Sequence, residues 1–140
     1  MRQKATGFTL IEIVIVLVII GILASVAIPT YRKHVVRSNR SAAESYMKEV
    51  AGKQERFLLD NRQYALTMAL LGETVPSNVS SNYTITIADD DPGSTVPGYV
   101  ITATPIGGQL ADDSTCGTLT LNHLGTQTPV ASGNTARCWN

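Results

Sequence analysis

The stretch "KATGFTLIEIVIVLVIIGILASVAIP", Lys4 to Pro29, decides how the rest of the chain is read. From Phe8 to Ile28 one charged side chain, Glu12, stands in twenty-one otherwise uncharged and mostly apolar residues. As a helix this run is about 30 Å long, the thickness of one hydrocarbon core. A carboxylate at the middle of such a span costs roughly 2.5–3.5 kcal/mol on insertion scales, so its presence demands a reason. Arg2 and Lys4 precede the run and favour a cytoplasmic N-terminus, whereas Arg32, Lys33 and Arg37 follow it and oppose that orientation.

Working outward, the pattern changes after Pro29. Apolar residues recur at Val35/Val36, Ala42/Ala43, Tyr46/Met47, Val50/Ala51 and Phe57/Leu58, the three-and-four spacing of one buried helical stripe. Arg37, Arg40, Glu44, Lys48, Glu55 and Arg62 fall on the face expected to meet water, with Glu44–Lys48 and Glu49–Lys53 in the favourable i,i+4 order. The spacing predicts one helix from about Phe8 to Asp60, apolar all round in its first half (8–29) and one-sided in its second (30–62). A cleaved export signal is the rival reading, since "ASVA", Ala24 to Ala27, offers small residues to a signal peptidase. The run is longer than such signals, holds an acid and is followed by more helix, all of which count against it.

Residues 63–81 read as a connector broken by Gly72 and Pro76, with a helical turn within Ala65–Leu71. In "NYTITIA", Tyr83, Ile85 and Ile87 alternate with Thr84, Thr86 and Ala88, a half-buried strand. "DDDPGSTVPG" is a turn, "YVITATP" a second strand, and "CGTLTLNHLGTQTP" a third strand, a turn at Asn122–Gly125 and a short fourth. Short turns between strands make an antiparallel meander. The predicted class is α+β: a long helix whose second half carries a four-stranded antiparallel sheet over residues 82–140. Cys116 and Cys138, an isolated pair in a chain with an export segment, read as one disulfide bounding a C-terminal loop.

Charge sums to zero but is unevenly spread. Arg32 to Arg62 holds eight Lys/Arg against four acids, and from Gln63 onward Arg137 alone opposes six acids. A basic stretch interleaved with acids is a solvated helix face, and an acidic C-terminal part argues against direct DNA contact. Asp89, Asp90 and Asp91 suggest a Ca²⁺ site by composition, but adjacent side chains in a strand turn diverge, so a solvated turn is expected. His34 and His123 have no partner at ligand spacing, so no metal is expected; no cofactor and no nucleotide-binding or hydrolase motif is indicated, and hence no enzyme. Asn78-Val-Ser and Asn82-Tyr-Thr fit the N-glycosylation pattern.

"GFTLIEIVIVLVIIGILASVAIP" resembles the N-terminus of type IV pilins and of the pseudopilins of type II secretion. The matching parts are a short basic leader (1–7) ending in Gly7, then Phe8, Glu12 and Pro29 as first, fifth and twenty-second residues of the mature chain. The stretches "RSNRSAAES" and "QERFLLDNRQYA", with the cysteine pair, are similar to minor pilins of the PilE-like kind. The resemblance implies cleavage between Gly7 and Phe8 by prepilin peptidase and methylation of the Phe8 amine. It implies residence in the inner membrane by a single pass, passage through the assembly platform, and assembly into, or priming of, a filament of major and other minor pilins that serves adhesion and twitching.

The resemblance also gives Glu12 a purpose. The new α-amine has an unperturbed pKa near 7.7–8.0. Four residues of helix separate it from Glu12 by ~6 Å along the axis. In the family the carboxylate neutralises the Phe8 amine of an adjacent subunit, so a partner at the right axial step removes the cost of an unpaired charge. Snorkelling to the cytoplasmic headgroups is the alternative for the free subunit. Gly21 and Pro29 are implied to mark a segment that loosens on assembly. Alternatives within the family are a type II secretion pseudopilin and a competence pilin for DNA uptake; outside it, a membrane-anchored periplasmic binding domain that never polymerises.

Overall fold

The computed structural model describes residues 8–129 and 135–139. The leader 1–7, with Gly7, lies outside them. Helix α1 spans Leu10–Asn61 and includes both Gly21 and Pro29 without interruption. It starts where Thr9 offers its Oγ1 to the Glu12 N–H at 3.3 Å, an N-cap that satisfies one of the orphan donors of the first turn. It ends where Arg62 turns left-handed (φ 57) and donates its N–H to the Leu58 carbonyl at 2.8 Å, closing the last turn.

The chain divides into two compact units, Met1–His34 and Val35–Asn140. In the first, a helix apolar on every side keeps its described side chains largely exposed. In the second, β1 (Tyr83–Ala88), β2 (Val100–Pro105), β3 (Leu119–Asn122) and β4 (Gln127–Pro129) form one sheet in sequence order, every pair antiparallel. Thr84, Thr86 and Ala88 point outward while Tyr83, Ile85 and Ile87 are buried, the alternation a one-sided sheet requires. The register aligns Ile85 with Ala103, Ile87 with Ile101, and Ile101 with Leu121. Their inner faces form a single core with Ala43, Tyr46, Met47 and Val50 of α1.

Three features differ from the sequence expectation. The residues 107–112, to which the sequence pattern assigns no element, form a helix α4 (Gly107–Asp112) between β2 and β3. Its two glycines argue against a helix by propensity, and tertiary contacts of Gln109 and Asp113 outweigh them. In the connector, α2 (Met68–Leu71) falls within the turn expected at Ala65–Leu71, capped by Thr67 and ending at left-handed Gly72, whereas a further turn, α3 (Ser77–Ser80), follows Pro76 without a counterpart in the sequence reading. Finally, Arg40 and Glu44, assigned to the water face of α1, are buried, at 7% and 1% exposure, while Val35 is 38% exposed. A short helix, α5 (Thr135–Cys138), precedes Trp139.

Candidate functional site

The first unit presents its function as surface. Every large apolar side chain from Leu10 to Ile28 is between 44% and 82% exposed, and Phe8 is 80% exposed. A helix of this kind needs lipid or other helices around it; α1 is long and apolar enough to cross a membrane. Glu12 sits in the third helical position after Thr9, so its carboxylate stands at the positive end of the helix dipole. Thr9-x-x-Glu12 is the sequence form of a capping box. That signal is legible in the sequence, and the reading of Glu12 as a pairing residue alone passes over it.

Gly21 and Pro29 lie within the same helix. A Cβ at Gly21 would meet nothing within 4 Å, so among the described residues no contact requires a glycine there. Pro29 removes the donor that the Ser25 carbonyl would otherwise accept from. Around it, Ser25 Oγ donates to the Ile22 carbonyl (2.7 Å) and Thr30 Oγ1 to that of Val26 (3.0 Å). Such bonds back to the preceding turn bend helices.

In the second unit a buried polar cluster ties α1 to α4. Arg40 Nη1 donates to Asp113 Oδ1 at 2.8 Å, and its Nε stands 3.9 Å from Glu44 Oε1, too far for a hydrogen bond. Tyr83 OH reaches Asp113 Oδ2 at 3.3 Å. Gln109 Nε2 lies within 3.1 Å of Asp113 Oδ2, the Tyr83 hydroxyl and the Val36 carbonyl, sharing two hydrogens among three acceptors. Asn39 Nδ2 donates to both Gln109 Oε1 and Asn82 Oδ1 at 3.2 Å. Burial, then the nearby Asp113 carboxylate, raises the Tyr83 pKa well above its ordinary value.

Asp113 also sets the path to the disulfide: its carbonyl accepts the N–H groups of Cys116 (3.2 Å) and Gly117 (2.9 Å). Cys116 and Cys138 are bridged with their Cα atoms 5.5 Å apart at a sequence separation of 22, and both are buried. In the chain-entropy view such a bridge contributes roughly 3 kcal/mol.

The connector is held to α1 by a second set of contacts. Gln54 exchanges two bonds with the Ala65 backbone, at 2.6 and 2.9 Å, and Tyr46 OH donates to the Thr74 carbonyl at 3.3 Å. Lys53 Nζ lies 2.7 Å from Glu49 and 2.6 Å from Glu73. Those two carboxylates, Glu49 first, hold its pKa up at about 12. Asp90, from the acidic turn, approaches His123 Nδ1 at 2.7 Å, close enough for an ion pair though not aligned as a hydrogen bond. Asp91 N–H is taken by Asp89 Oδ1 at 3.2 Å. Among the described residues no group of three or more His, Cys, Asp or Glu is arranged to hold a metal.

The structure thus keeps Phe8, Glu12, Gly21 and Pro29 on one helical unit and the bridged cysteines in the other. Arg40, Asp113 and Gln109 are residues the sequence reading missed; the separation of 73 residues between Arg40 and Asp113 leaves no local signal of their pairing.

Residues 29–120 match the family described as "Type IV minor pilin ComP, DNA uptake sequence receptor", and residues 2–28 the "Prokaryotic N-terminal methylation motif". The chain is 35% identical over 85 residues to the type IV wide pilus major component PilA4 of Thermus thermophilus, covering 61% of this chain and 65% of that protein. It is 34% identical over 104 residues to the fimbrial protein EcpC of Eikenella corrodens, covering 74% and 65%. To the type II secretion system core protein G of Dickeya chrysanthemi it is 33% identical over 75 residues, covering 54% and 49%. The chain spans less than two thirds of the length of these relatives. A solved type IV pilin from Shewanella oneidensis shares the fold, with a TM-score of 0.53 over 75% of this chain and 98% of that one, at 23% identity.

Proposed function

The chain belongs to the type IV pilin family, whose members are structural subunits and not enzymes, and on that premise we propose that it serves as a minor pilin. In this reading the precursor waits in the inner membrane with its N-terminus cytoplasmic. Prepilin peptidase cuts between Gly7 and Phe8 and methylates the Phe8 amine, and the assembly platform passes the mature chain into a filament with major and other minor pilins. The observation that carries the reading is the uncovered apolar helix with Glu12 as its one charge. Lipid or neighbouring stems of the same kind suit such a surface, and an incoming positive terminus would neutralise the acid more fully than its own helix end does. Gly21 and Pro29 make the segment between them the cheapest place for the helix to loosen as stems bundle.

Mass spectrometry of the mature N-terminus tests this directly. N-methylated Phe8 is expected; Ile28 as first residue would mean an ordinary signal peptide and end the pilin reading.

A second reading, a competence pilin that contacts DNA, is favoured by the family's description as a DNA uptake sequence receptor. Charge weighs against it. From Val35 onward ten acids face seven Lys/Arg, and of the seven Arg40 is buried on Asp113 and Lys53 held between two carboxylates. Neutralising phosphates needs unpaired cations. A gel shift with double-stranded DNA at low and moderate salt, using the processed protein, separates the two. Salt-sensitive retardation supports DNA contact, and none supports a filament role without it.

A further inference from the structure

The residues just beyond the apolar run carry an unassigned feature. Tyr31, Arg32, Lys33 and His34 are four consecutive positions of α1, all exposed, Tyr31 at 71%. At about 100° per residue they cover the whole circumference of the helix, so they form a ring and not a face. They lie three to six residues past Ile28, ~4.5–9 Å along the axis. The headgroup layer on each side of a bilayer is about 5–7 Å deep, which is where this ring falls if Phe8 to Ile28 spans the hydrocarbon.

The charge pattern there is unlike that of the rest of α1. Farther along, cations alternate with acids, whereas no Asp or Glu occurs between Glu12 and Glu44. Among the described residues neither Arg32 nor Lys33 makes an ion pair. Two unpaired cations on the exported side also run against the preference for positive charge in the cytoplasm.

We propose that this ring binds the phosphate groups of anionic phospholipid in the leaflet away from the N-terminus. The inference rests on the membrane-anchored reading above. Arg32 and Lys33 supply the charge, each favouring an anionic over a neutral surface by about fivefold. Tyr31 places a ring and a hydroxyl at the apolar–polar boundary, where aromatic side chains concentrate. The collar fixes the depth of the waiting subunit and must shed its lipids when the stem leaves the membrane.

Native mass spectrometry of the full-length protein in detergent micelles, with phosphatidylglycerol or phosphatidylcholine of matched chains, tests the collar. The wild-type chain is expected to retain phosphatidylglycerol about 25-fold better. The double variant Arg32→Gln/Lys33→Gln should lose that preference, and Arg56→Gln, an exposed cation of the other unit, should keep it. Equal retention of both lipids overturns the proposal. So does an undiminished preference in the double variant, an equal loss in Arg56→Gln, or full competition by soluble glycerol phosphate, which would make the site one for free anions. Flotation with phosphatidylcholine vesicles is read separately. A chain that fails to float defeats the membrane anchor itself, whereas one that floats without anionic preference defeats only the collar.

Discussion

Leu10 to Ile28 and Ala43 to Gln54 belong to one helix and obey opposite rules. In the first stretch every large apolar side chain is at least 44% exposed; in the second, Ala43, Met47, Val50 and Gln54 are fully buried. The second stretch has its partner within the chain, a sheet whose inner face it completes. The first has none among the described residues and is unfinished until something covers it. The same contrast holds for charge. Glu12 is exposed, with a helix terminus as its only described relief, whereas Arg40 is enclosed with Asp113, Tyr83 and Gln109 around it. Stability therefore resides in one unit and, under the proposed function, assembly in the other.

Changes in one unit should leave the other's property untouched, and the largest effect expected lies in the closed unit. Arg40→Ala strands the Asp113 carboxylate in a dry site and should cost about 3–5 kcal/mol in denaturant unfolding, with membrane insertion of the stem unchanged. Arg40→Met with Asp113→Leu should recover most of that loss, because a buried pair replaced by apolar groups of similar volume is often neutral. If the double variant is as unstable as the single, the cluster holds α4 by its hydrogen bonds and not by the ion pair.

Glu12→Ala should do the reverse. Cleavage at Gly7 and unfolding of the globular unit should be unaltered. Incorporation into sheared filaments should fall on the order of a hundredfold, the equivalent of about 3 kcal/mol. Normal incorporation would reduce Glu12 to the helix cap it makes with Thr9.

Gly98→Ala should have a smaller, local effect. Gly98 is buried, and a Cβ there would run into the Asp90 carboxylate and the His123 ring. A cost of about 1–3 kcal/mol is expected from this overpacking, read by unfolding, with loss of the Asp90–His123 contact in NMR spectra. An unchanged stability would mean the 89–97 turn swings aside freely.

The remaining effect appears only in alkali. Burial pushes Tyr99 up to about 12 and raises Tyr83 further, and Lys53 is held at about 12 by Glu49 and Glu73. In each case the folded chain keeps a proton that the unfolded chain gives up at about pH 10–10.5. Stability of the globular unit should thus be full below pH 10 and fall from there to about pH 12. Lys53→Gln and Tyr99→Phe should each flatten that slope. A slope unchanged in both would assign it to other groups.

Much of this was legible from the chain. Tyr83, Ile85 and Ile87 alternate in sequence and are buried together; Leu119 and Leu121 do the same. Period two survives folding because a strand has only two faces. The stripe Ala43–Met47–Val50 was visible for the analogous reason. Arg40 and Glu44 were not, since residues at the margin of a helical stripe are assigned to water or core by what the rest of the chain brings against them. Helix α4 escaped notice too: six residues with two glycines carry no helical periodicity, and Gln109 earns its place only through Val36, Asn39 and Tyr83.

The sequence by itself determined which segments are apolar on all sides, on one side or alternately, because those are averages over many residues that no single contact can reverse. It thereby determined an uncovered stem, an amphipathic continuation and a four-stranded meander. Tertiary structure alone decided which charges are enclosed. A charge in a protein interior is far less costly when a counter-charge meets it, and the hydrogen-bonded counterpart of Arg40 stands 73 positions away, on a turn whose location exists only after folding.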